Sequence, residues 1–432
     1  MESELLDLSS AIVDAWSAPG GPPPDAPDGP ANRITNELSE LADGLAIVES
    51  FSHVLAFRTD DGLVLFDSSS ALTGERVTAS LRTWSDEPID TLVYTHGHVD
   101  HVGGSGALIA DGIERGHKFP RVVGHEAVEA RFARYRATDG WNLNVNRRQF
   151  GPGLFGAGQH FLPQDTAPVE LSFRESLALD VGGTTFELHH SLGETDDHAW
   201  AWIPSMKAVA VGDFVAWVFP NAGNPQKVQR YPAEWAAALR RILALEPELL
   251  LPAHGLPVRG AERVATVLGD LATALEGLVR DVVSAMNDGA VLDDIVNSVR
   301  VDPDLLRRPW MRPVYDEPEF VVRNIWRLYG GWWDGDPARL KPPPAADLAR
   351  EVADLAGGAD RLVTRAQDLS AIGEHRMACE LIEMAARAKR DPGLWRVRAD
   401  IYRRRAAAEM SLMAQGVFNE AARSSEEQAE QM

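Results

Sequence analysis

Short apolar runs bounded by turn residues predict a β-rich first part of the chain. Val54–Arg58 and Gly62–Phe66 flank Asp60-Asp61-Gly62, a sequence that favours a hairpin turn. Arg76–Trp84 has helical spacing and precedes the apolar run Ile89–Tyr94, which predicts a buried strand. The same criteria predict strands at 45–48, 118–123, 172–179, 184–189, 199–203, 208–211 and 249–251, and helices at 126–135 and 233–245. This alternation of strands and helices predicts an α/β domain.

Two stretches of the first part lack a regular period. Residues 18–30 are rich in proline and glycine, which exclude helix and sheet, so we expect a linker or an arm. Residues 136–168 mix glycine, proline, asparagine and aromatic residues, and we expect a long loop there. A loop of this length inside a compact domain is usually functional.

From about residue 261 the apolar positions follow helical spacing instead. Val264, Val267, Leu268 and Leu271 begin a long amphipathic pattern, and alanine-rich helices are predicted at 346–355, 359–371, 374–388 and 394–408. Their lengths suggest a stacked helical repeat of about 35 residues. We therefore predict an N-terminal arm (1–32), an α/β domain (33–262) and an all-α domain (263–432).

Composition excludes several classes of partner. The net charge of −22 repels phosphate backbones, so we expect no nucleic acid partner. We find no run of about 18 apolar residues and therefore expect no membrane span. Cys379 is the single cysteine, so no intrachain disulfide can form, and from the acidic N-terminus we expect no secretory signal. These features predict a cytoplasmic protein.

The stretch directly after the run Ile89–Tyr94 carries four candidate metal ligands within six residues. They are His96, His98, Asp100 and His101. Imidazole nitrogen and carboxylate oxygen both suit Zn²⁺, and four ligands this close are more than one ion needs from one loop. His96 and His98 can face one way while Asp100 and His101 face another, which fits two adjacent metals. The alternative is a solvated histidine-rich loop.

Later strand ends supply further candidates. Glu194 follows the predicted strand 184–189, Asp213 follows 208–211, and His254 follows 249–251. An acidic residue at a strand end is usually a turn former, so each signal is weak by itself. Their common position after strands predicts one shared site. Of the 12 histidines only His375 lies beyond residue 254, which assigns the chemistry to the first part of the chain.

In this order and spacing the motifs resemble those of the metallo-β-lactamase superfamily, over about residues 33–260. The resemblance implies an αββα sandwich, here followed by the all-α domain, with Asp67 as a structural acid at the end of an early strand. It implies that Asp213 bridges two metals, the first bound by His96, His98 and Glu194 and the second by Asp100, His101 and His254.

Within that superfamily the chain resembles the zinc-dependent alkylsulfatases. They also have glutamate at the position of Glu194, and residues 140–151 and 319–335 are similar to their Asn/Arg-Arg segment and their helical dimerisation domain. We expect the chain to stop before their lipid-carrier-like C-terminal domain. The resemblance implies a homodimer with two Zn²⁺ ions that cleaves an alkyl sulfate ester with a metal-bridging hydroxide, with Asp100 and Asp213 as catalytic residues.

Four further residues are candidates for binding an anionic substrate with an alkyl chain. Arg147 and Arg148 could hold a sulfate or carboxylate in bidentate fashion, and Asn146 and Asn221 could donate to the same oxygens. The alternatives are an ordinary surface arginine pair and loop-capping asparagines.

Two departures from the alkylsulfatases keep other functions open. Those enzymes have a bridging glutamate where this chain has Asp213, and they have a histidine in the stretch corresponding to Trp217–Pro225, which here contains none. The first alternative is the same site acting on a lactone, carboxyl ester, thioester or phosphodiester. The others are a two-iron redox protein and a helical scaffold that binds metal without catalysis.

Overall fold

The computed structural model describes residues 3–18, 22, 29, 32–153, 156 and 158–432. Most of the proline-rich stretch 18–30 lies outside these residues. The start of the predicted arm is a helix, Glu4–Ser17 (α1), which buries Leu5, Leu6, Ile12 and Val13 and contacts Ala261–Asn287 (α8). Residues 4–17 of the predicted arm therefore form a helix that buries an apolar face.

Thirteen strands in the described part of the chain form two sheets. The first sheet has its strands in sequence order, joined antiparallel at first and parallel from β4 onwards. Its strands are Leu38–Ala42 (β1), Leu45–Val48 (β2), Val54–Thr59 (β3), Gly62–Phe66 (β4), Ile89–Val93 (β5), Arg121–His125 (β6) and Leu171–Phe173 (β7).

The second sheet runs in the order β13-β12-β11-β10-β9-β8. Its only parallel pair is β11 with β12, joined by a crossover helix, Pro232–Leu243 (α7). Its strands are Ser176–Val181 (β8), Thr184–His190 (β9), Ala199–Ile203 (β10), Ala208–Gly212 (β11), Leu249–Pro252 (β12) and Val258–Arg259 (β13).

Aromatic side chains join the inner faces of the two sheets. Phe57 and Phe66 of the first sheet contact Phe186 of the second, with ring centroids 5.2 and 5.9 Å apart. Helices cover the outer faces: Gly74–Trp84 (α2) contacts β1 and β2, and α8 contacts β12 and β13. The predicted αββα sandwich followed by a helical domain is confirmed.

Two local predictions were wrong. The predicted strand 172–179 is two strands, β7 and β8, which belong to different sheets because the chain crosses between the sheets at Arg174 and Glu175. The expected loop 136–168 contains the helix Asp139–Phe150 (α6), which follows Ala127–Ala137 (α5). Gly140 and three asparagines hid this helix because their intrinsic helix propensity is poor, and tertiary packing overrides it.

The remaining described helices lie between these elements and in the C-terminal part. The four alanine-rich helices predicted there are confirmed, and they share a core that includes Ala366, Ala378, Ile382 and Ala385. The bounds are Val99–Val102 (α3), Ser105–Glu114 (α4), Leu292–Ser298 (α9), Pro303–Leu306 (α10), Pro318–Gly330 (α11), Pro337–Leu340 (α12), Ala345–Leu355 (α13), Ala359–Ala371 (α14), His375–Ala388 (α15), Pro392–Ala407 (α16) and Leu412–Gln431 (α17). None of the described helices is long and apolar enough to cross a bilayer.

The chain folds into two compact units. Unit 1 comprises residues 1–142, 158–290 and 294–329, and unit 2 comprises 143–157, 291–293 and 330–432. These units divide the chain differently from the predicted ranges 33–262 and 263–432. Helix α8 belongs to unit 1 because it contacts α7 and β12 of the sandwich.

Candidate metal centre

The loop that carries the four-ligand motif is held by Asp67 of the neighbouring strand end. Because β4 and β5 are parallel, their carboxyl ends meet, and Asp67 follows β4 directly. Its carboxylate accepts hydrogen bonds from the amide and hydroxyl of Thr95, both at 2.8 Å, and lies 2.7 Å from Nδ1 of His101. Asp67 has φ +62°, a left-handed conformation that is uncommon for residues other than glycine, and the surrounding contacts hold it there.

The second sheet contributes candidate ligands from its parallel pair. Asp213 and His254 follow β11 and β12, so they leave the sheet at the same edge. Gly212 has φ +51°, and a Cβ there would lie 2.8 Å from Cε1 of His198 and 2.9 Å from Cβ of Thr95. Glycine therefore lets the chain turn directly into Asp213 with both neighbours in place.

Six of the predicted ligands form two adjacent groups of donor atoms. In each group the donor atoms lie within 4.8 Å of one another; the groups are His96, His98 and Asp213, and Asp100, His101 and His254. Oδ1 of Asp213 lies 3.2 Å from Nε2 of His101 and 3.3 Å from Nε2 of His254, and its Oδ2 lies 3.8 Å from Nε2 of His96. One carboxylate thus reaches both groups.

Glu194 lies beside the first group but outside it. Its Oε1 is 3.7 Å from Nδ1 of His98. The same oxygen accepts from Nδ2 of Asn221 at 2.7 Å and lies 2.5 Å from Nη1 of Arg230. Burial raises the pKa of Glu194 to about 7, although the Arg230 charge opposes this rise.

Burial and neighbouring charges set the protonation of the site. Burial lowers the pKa of His96 and of His98 well below the ordinary value. Burial acts on His101 as well, but the Asp213 carboxylate and other acids outweigh it and raise the pKa of that imidazole. His101 and His254 in turn hold the pKa of Asp213 well below its usual range in spite of burial. The first group therefore offers neutral imidazoles and an ionised carboxylate, the forms that bind metal.

The donor set fits a divalent metal. Nε2 of His101 and Oδ1 of Asp213 are buried, and neither makes a hydrogen bond within the described part of the chain. Nε2 of His96 and Nδ1 of His98 face each other at 2.8 Å, and a metal would use both lone pairs. Buried polar atoms without partners are rare, and nitrogen and carboxylate donors in this number suit zinc.

The predicted substrate-binding residues lie in two places. Asn221 is in unit 1; its Nδ2 binds Glu194, and its Oδ1 is buried without a hydrogen-bond partner among the described residues. Asn146, Arg147 and Arg148 lie in α6, in the part that belongs to unit 2. Substrate binding by all four stays a prediction.

Sequence reasoning missed several residues that hold the site. Arg131 and Arg230 are buried, and Arg131 pairs with Asp197, which accepts a hydrogen bond from the amide of Gly97 inside the metal loop. Ser52 lies 3.1 Å from Nδ1 of His101. Their distance along the chain from their partners leaves no local signal.

Comparisons with known proteins match both parts of the chain. Residues 47–254 match the model described as the metallo-beta-lactamase superfamily, and residues 291–428 match the one described as alkyl sulfatase dimerisation. A linear primary-alkylsulfatase from Pseudomonas sp. is 29% identical over 82% of this chain and 70% of its own length. An (R)-specific secondary-alkylsulfatase from Pseudomonas sp. is 26% identical over 74% of this chain and 52% of its own length.

A solved structure shares the fold. It is a stereoselective inverting sec-alkylsulfatase from Pseudomonas sp., with a TM-score of 0.78 and 22% identity, covering 92% of this chain and 66% of that one. At this identity the likeness concerns the fold alone. The chain therefore combines a metallo-β-lactamase superfamily domain with an alkyl sulfatase dimerisation domain, and it is homologous to alkylsulfatases, which are hydrolases.

Proposed function

We propose that the protein is a two-zinc hydrolase that cleaves alkyl sulfate esters. The observation that carries this proposal is the pair of donor groups with Asp213 between them, 3.8 Å from His96 and 3.2 Å from His101. Zinc bound there would supply positive charge that activates water and takes up charge developing on the substrate. The similarity to alkylsulfatases supports the sulfate ester as the substrate.

The side chains of this chain would have separate roles. His96, His98 and Glu194 would hold one zinc, Asp100, His101 and His254 the other, and Asp213 would face both. Asp67 would orient the His101 ring by accepting its Nδ1–H at 2.7 Å, which leaves Nε2 as the donor to metal. His96 and His101 are fully buried, which keeps bulk water from these two imidazoles and strengthens their electrostatic contacts.

The test is sulfate release from a medium-chain alkyl sulfate by purified protein of measured zinc content. We expect turnover that depends on zinc and is lost in Asp100→Ala. A panel of lactones, carboxyl esters, thioesters and phosphodiesters, run in parallel, tests the alternative substrates. Turnover of one of those esters without any sulfate release would replace the alkyl sulfate proposal and keep the metallohydrolase.

We propose a homodimer formed through the helical part of the chain. The match of residues 291–428 to an alkyl sulfatase dimerisation domain supports it. Trp332 is 75% exposed, and such a large apolar side chain is a common interface anchor. Light scattering behind size-exclusion chromatography should give twice the chain mass of 47.2 kDa. The cytoplasmic location stays a prediction.

A further inference from the structure

Three of the candidate ligands are carboxylates, and they differ in the groups that neutralise their charge. Asp100 and Asp213 face the imidazoles of His101 and His254. Glu194 instead contacts a guanidinium: Nη1 of Arg230 lies 2.5 Å from its Oε1, and both side chains are at most 5% exposed.

The backbone places Arg230 opposite Glu194. The amide of Tyr231 donates to the carbonyl of Gly193 at 2.9 Å, which joins the two segments one residue away from each charged side chain. Asn324 of α11 holds the segment from the other side, since its Nδ2 donates to the carbonyl of Arg230 at 2.9 Å. The arginine is therefore built into the site and is not a surface residue that has folded inwards.

Asn221 completes the arrangement. Its side-chain Nδ2 donates to Oε1 of Glu194 at 2.7 Å, and its backbone carbonyl oxygen accepts from Nη1 of Arg230 at 2.5 Å. The Asn221 segment is itself anchored, because Asp316 accepts hydrogen bonds from the amides of Gly223 and Asn224. Both donors to Glu194 thus act on the same oxygen and restrict the carboxylate to one orientation.

Either charged side chain of the Glu194–Arg230 pair, buried without the other, would destabilise the folded protein. A buried ion without a partner is strongly destabilising, whereas a hydrogen-bonded pair, or a pair of neutral side chains of similar volume, is tolerated. An unpaired guanidinium beside the site would also repel a cation bound by His96 and His98.

We propose that Arg230 is a positioning residue that acts through Glu194: it neutralises that carboxylate and, with Asn221, orients it beside the metal centre. The two side chains form one functional unit, so substitutions at them are not additive. This inference rests on the proposed two-metal function where metal affinity is concerned, and on the ion pair alone where stability is concerned.

The test is a double-mutant cycle of Glu194→Gln and Arg230→Met. Zinc affinity is measured by competition with a chromophoric chelator, and thermal unfolding is recorded with zinc and with excess chelator. We expect Glu194→Gln to weaken zinc binding by about 10–100-fold, because it removes a donor and leaves Arg230 unpaired. In the double variant, the added Arg230→Met substitution should restore about tenfold of the lost zinc affinity. It should also raise the unfolding temperature above that of Glu194→Gln alone.

Arg230→Met alone should lower the unfolding temperature of chelated protein by roughly 5 °C, and by less with zinc, because zinc then supplies the counter-charge to Glu194. Arg230→Lys keeps the positive charge, so its unfolding temperature should lie between those of Arg230→Met and the wild type. Arg131→Met is the matched control: it is equally buried and pairs with Asp197 at 2.8 Å, so it should not rescue Glu194→Gln.

Additive effects of the two substitutions, or rescue by Arg131→Met to the same extent, would overturn the proposal. If the wild-type protein bound no zinc, that result would instead contradict the proposed function. In that case the unfolding cycle in chelator decides the inference: a double variant more stable than Glu194→Gln supports the pair, and an equal or lower stability overturns it.

Discussion

The sheet edge of unit 1 and the helical core of unit 2 bury opposite kinds of side chain. At the sheet edge Asp67, His96, His101 and Asp213 are buried and polar, and Asp67 holds a positive φ. The helical core around Ile382 is apolar, and from residue 330 onwards positive φ occurs, among the described residues, only at glycines.

The difference separates burial that costs free energy from burial that stabilises. Polar groups lose water at the sheet edge and need partners, and strained backbone must be enforced by its surroundings. Burial of alanine and isoleucine side chains in the helical core removes apolar surface from water and stabilises the folded state. Substitutions in the first region should therefore affect chemistry, and those in the second should affect stability. The first three experiments below test this division, and the fourth tests a buried carboxylate that anchors the Asn221 segment.

Asp213→Ala should have the largest effect, a loss of about a thousand-fold or more in the rate of sulfate release. The expectation follows because Asp213 reaches both donor groups, and metal stabilisation of a developing charge is worth several kcal/mol. Steady-state kinetics with zinc content measures it. Asp180→Ala, at an exposed hairpin, is the control. If Asp213→Ala kept activity within tenfold of the wild type, the expected dependence of the chemistry on the buried polar residues of unit 1 would be wrong.

Ile382→Ala should lower the free energy of unfolding by about 2–5 kcal/mol, because the side chain is fully buried among alanine and leucine residues. Denaturant unfolding measures the change, and zinc per folded chain should stay as in the wild type. Met377→Ala in the same helix is the control, since that side chain is 53% exposed. Loss of zinc in folded Ile382→Ala would show that the two regions are not separable.

Asp67→Asn should weaken zinc binding by about 10–100-fold with little loss of stability. Asparagine tolerates the positive φ of this position. It has only one acceptor oxygen, however, so it cannot accept hydrogen bonds both from Thr95 and from the Nδ1–H of His101 as the carboxylate does. Chelator competition measures the affinity, beside Asp61→Asn at a hairpin. Unchanged affinity would mean that Asp67 serves the backbone alone.

Asp316→Asn should change the pH dependence of stability, which is the smallest effect of the four. Burial raises the pKa of Asp316 from 3.8 to about 6, although backbone amides oppose the rise. The folded state thus binds the proton more tightly than the unfolded state, so the contribution of Asp316 is largest below about pH 4 and is lost as the pH rises to about 6.

Unfolding of the wild type and of Asp316→Asn at several pH values between 4 and 7 measures this contribution. The wild type should lose stability relative to the variant across that interval and stay level above it. Parallel curves for the two proteins would contradict the raised pKa.

The sequence alone determined the elements with strong periodicity and the local motif. The run before the metal loop, the hairpin at Asp60-Asp61-Gly62 and the C-terminal helices were predictable because spacing and turn chemistry act over a few residues. The candidate ligands His96, His98, Asp100 and His101 were visible for the same reason: they lie within six residues.

Tertiary structure decided everything that depends on residues distant in the chain. The division of 172–179 between two sheets and the helix α6 follow from packing that outweighs local propensity. The contact of Arg230 with Glu194, 36 positions earlier, exists because a backbone hydrogen bond and Asn324 bring the two segments together. Sequence spacing carries no record of such contacts, since burial and pairing of charges are properties of the folded chain.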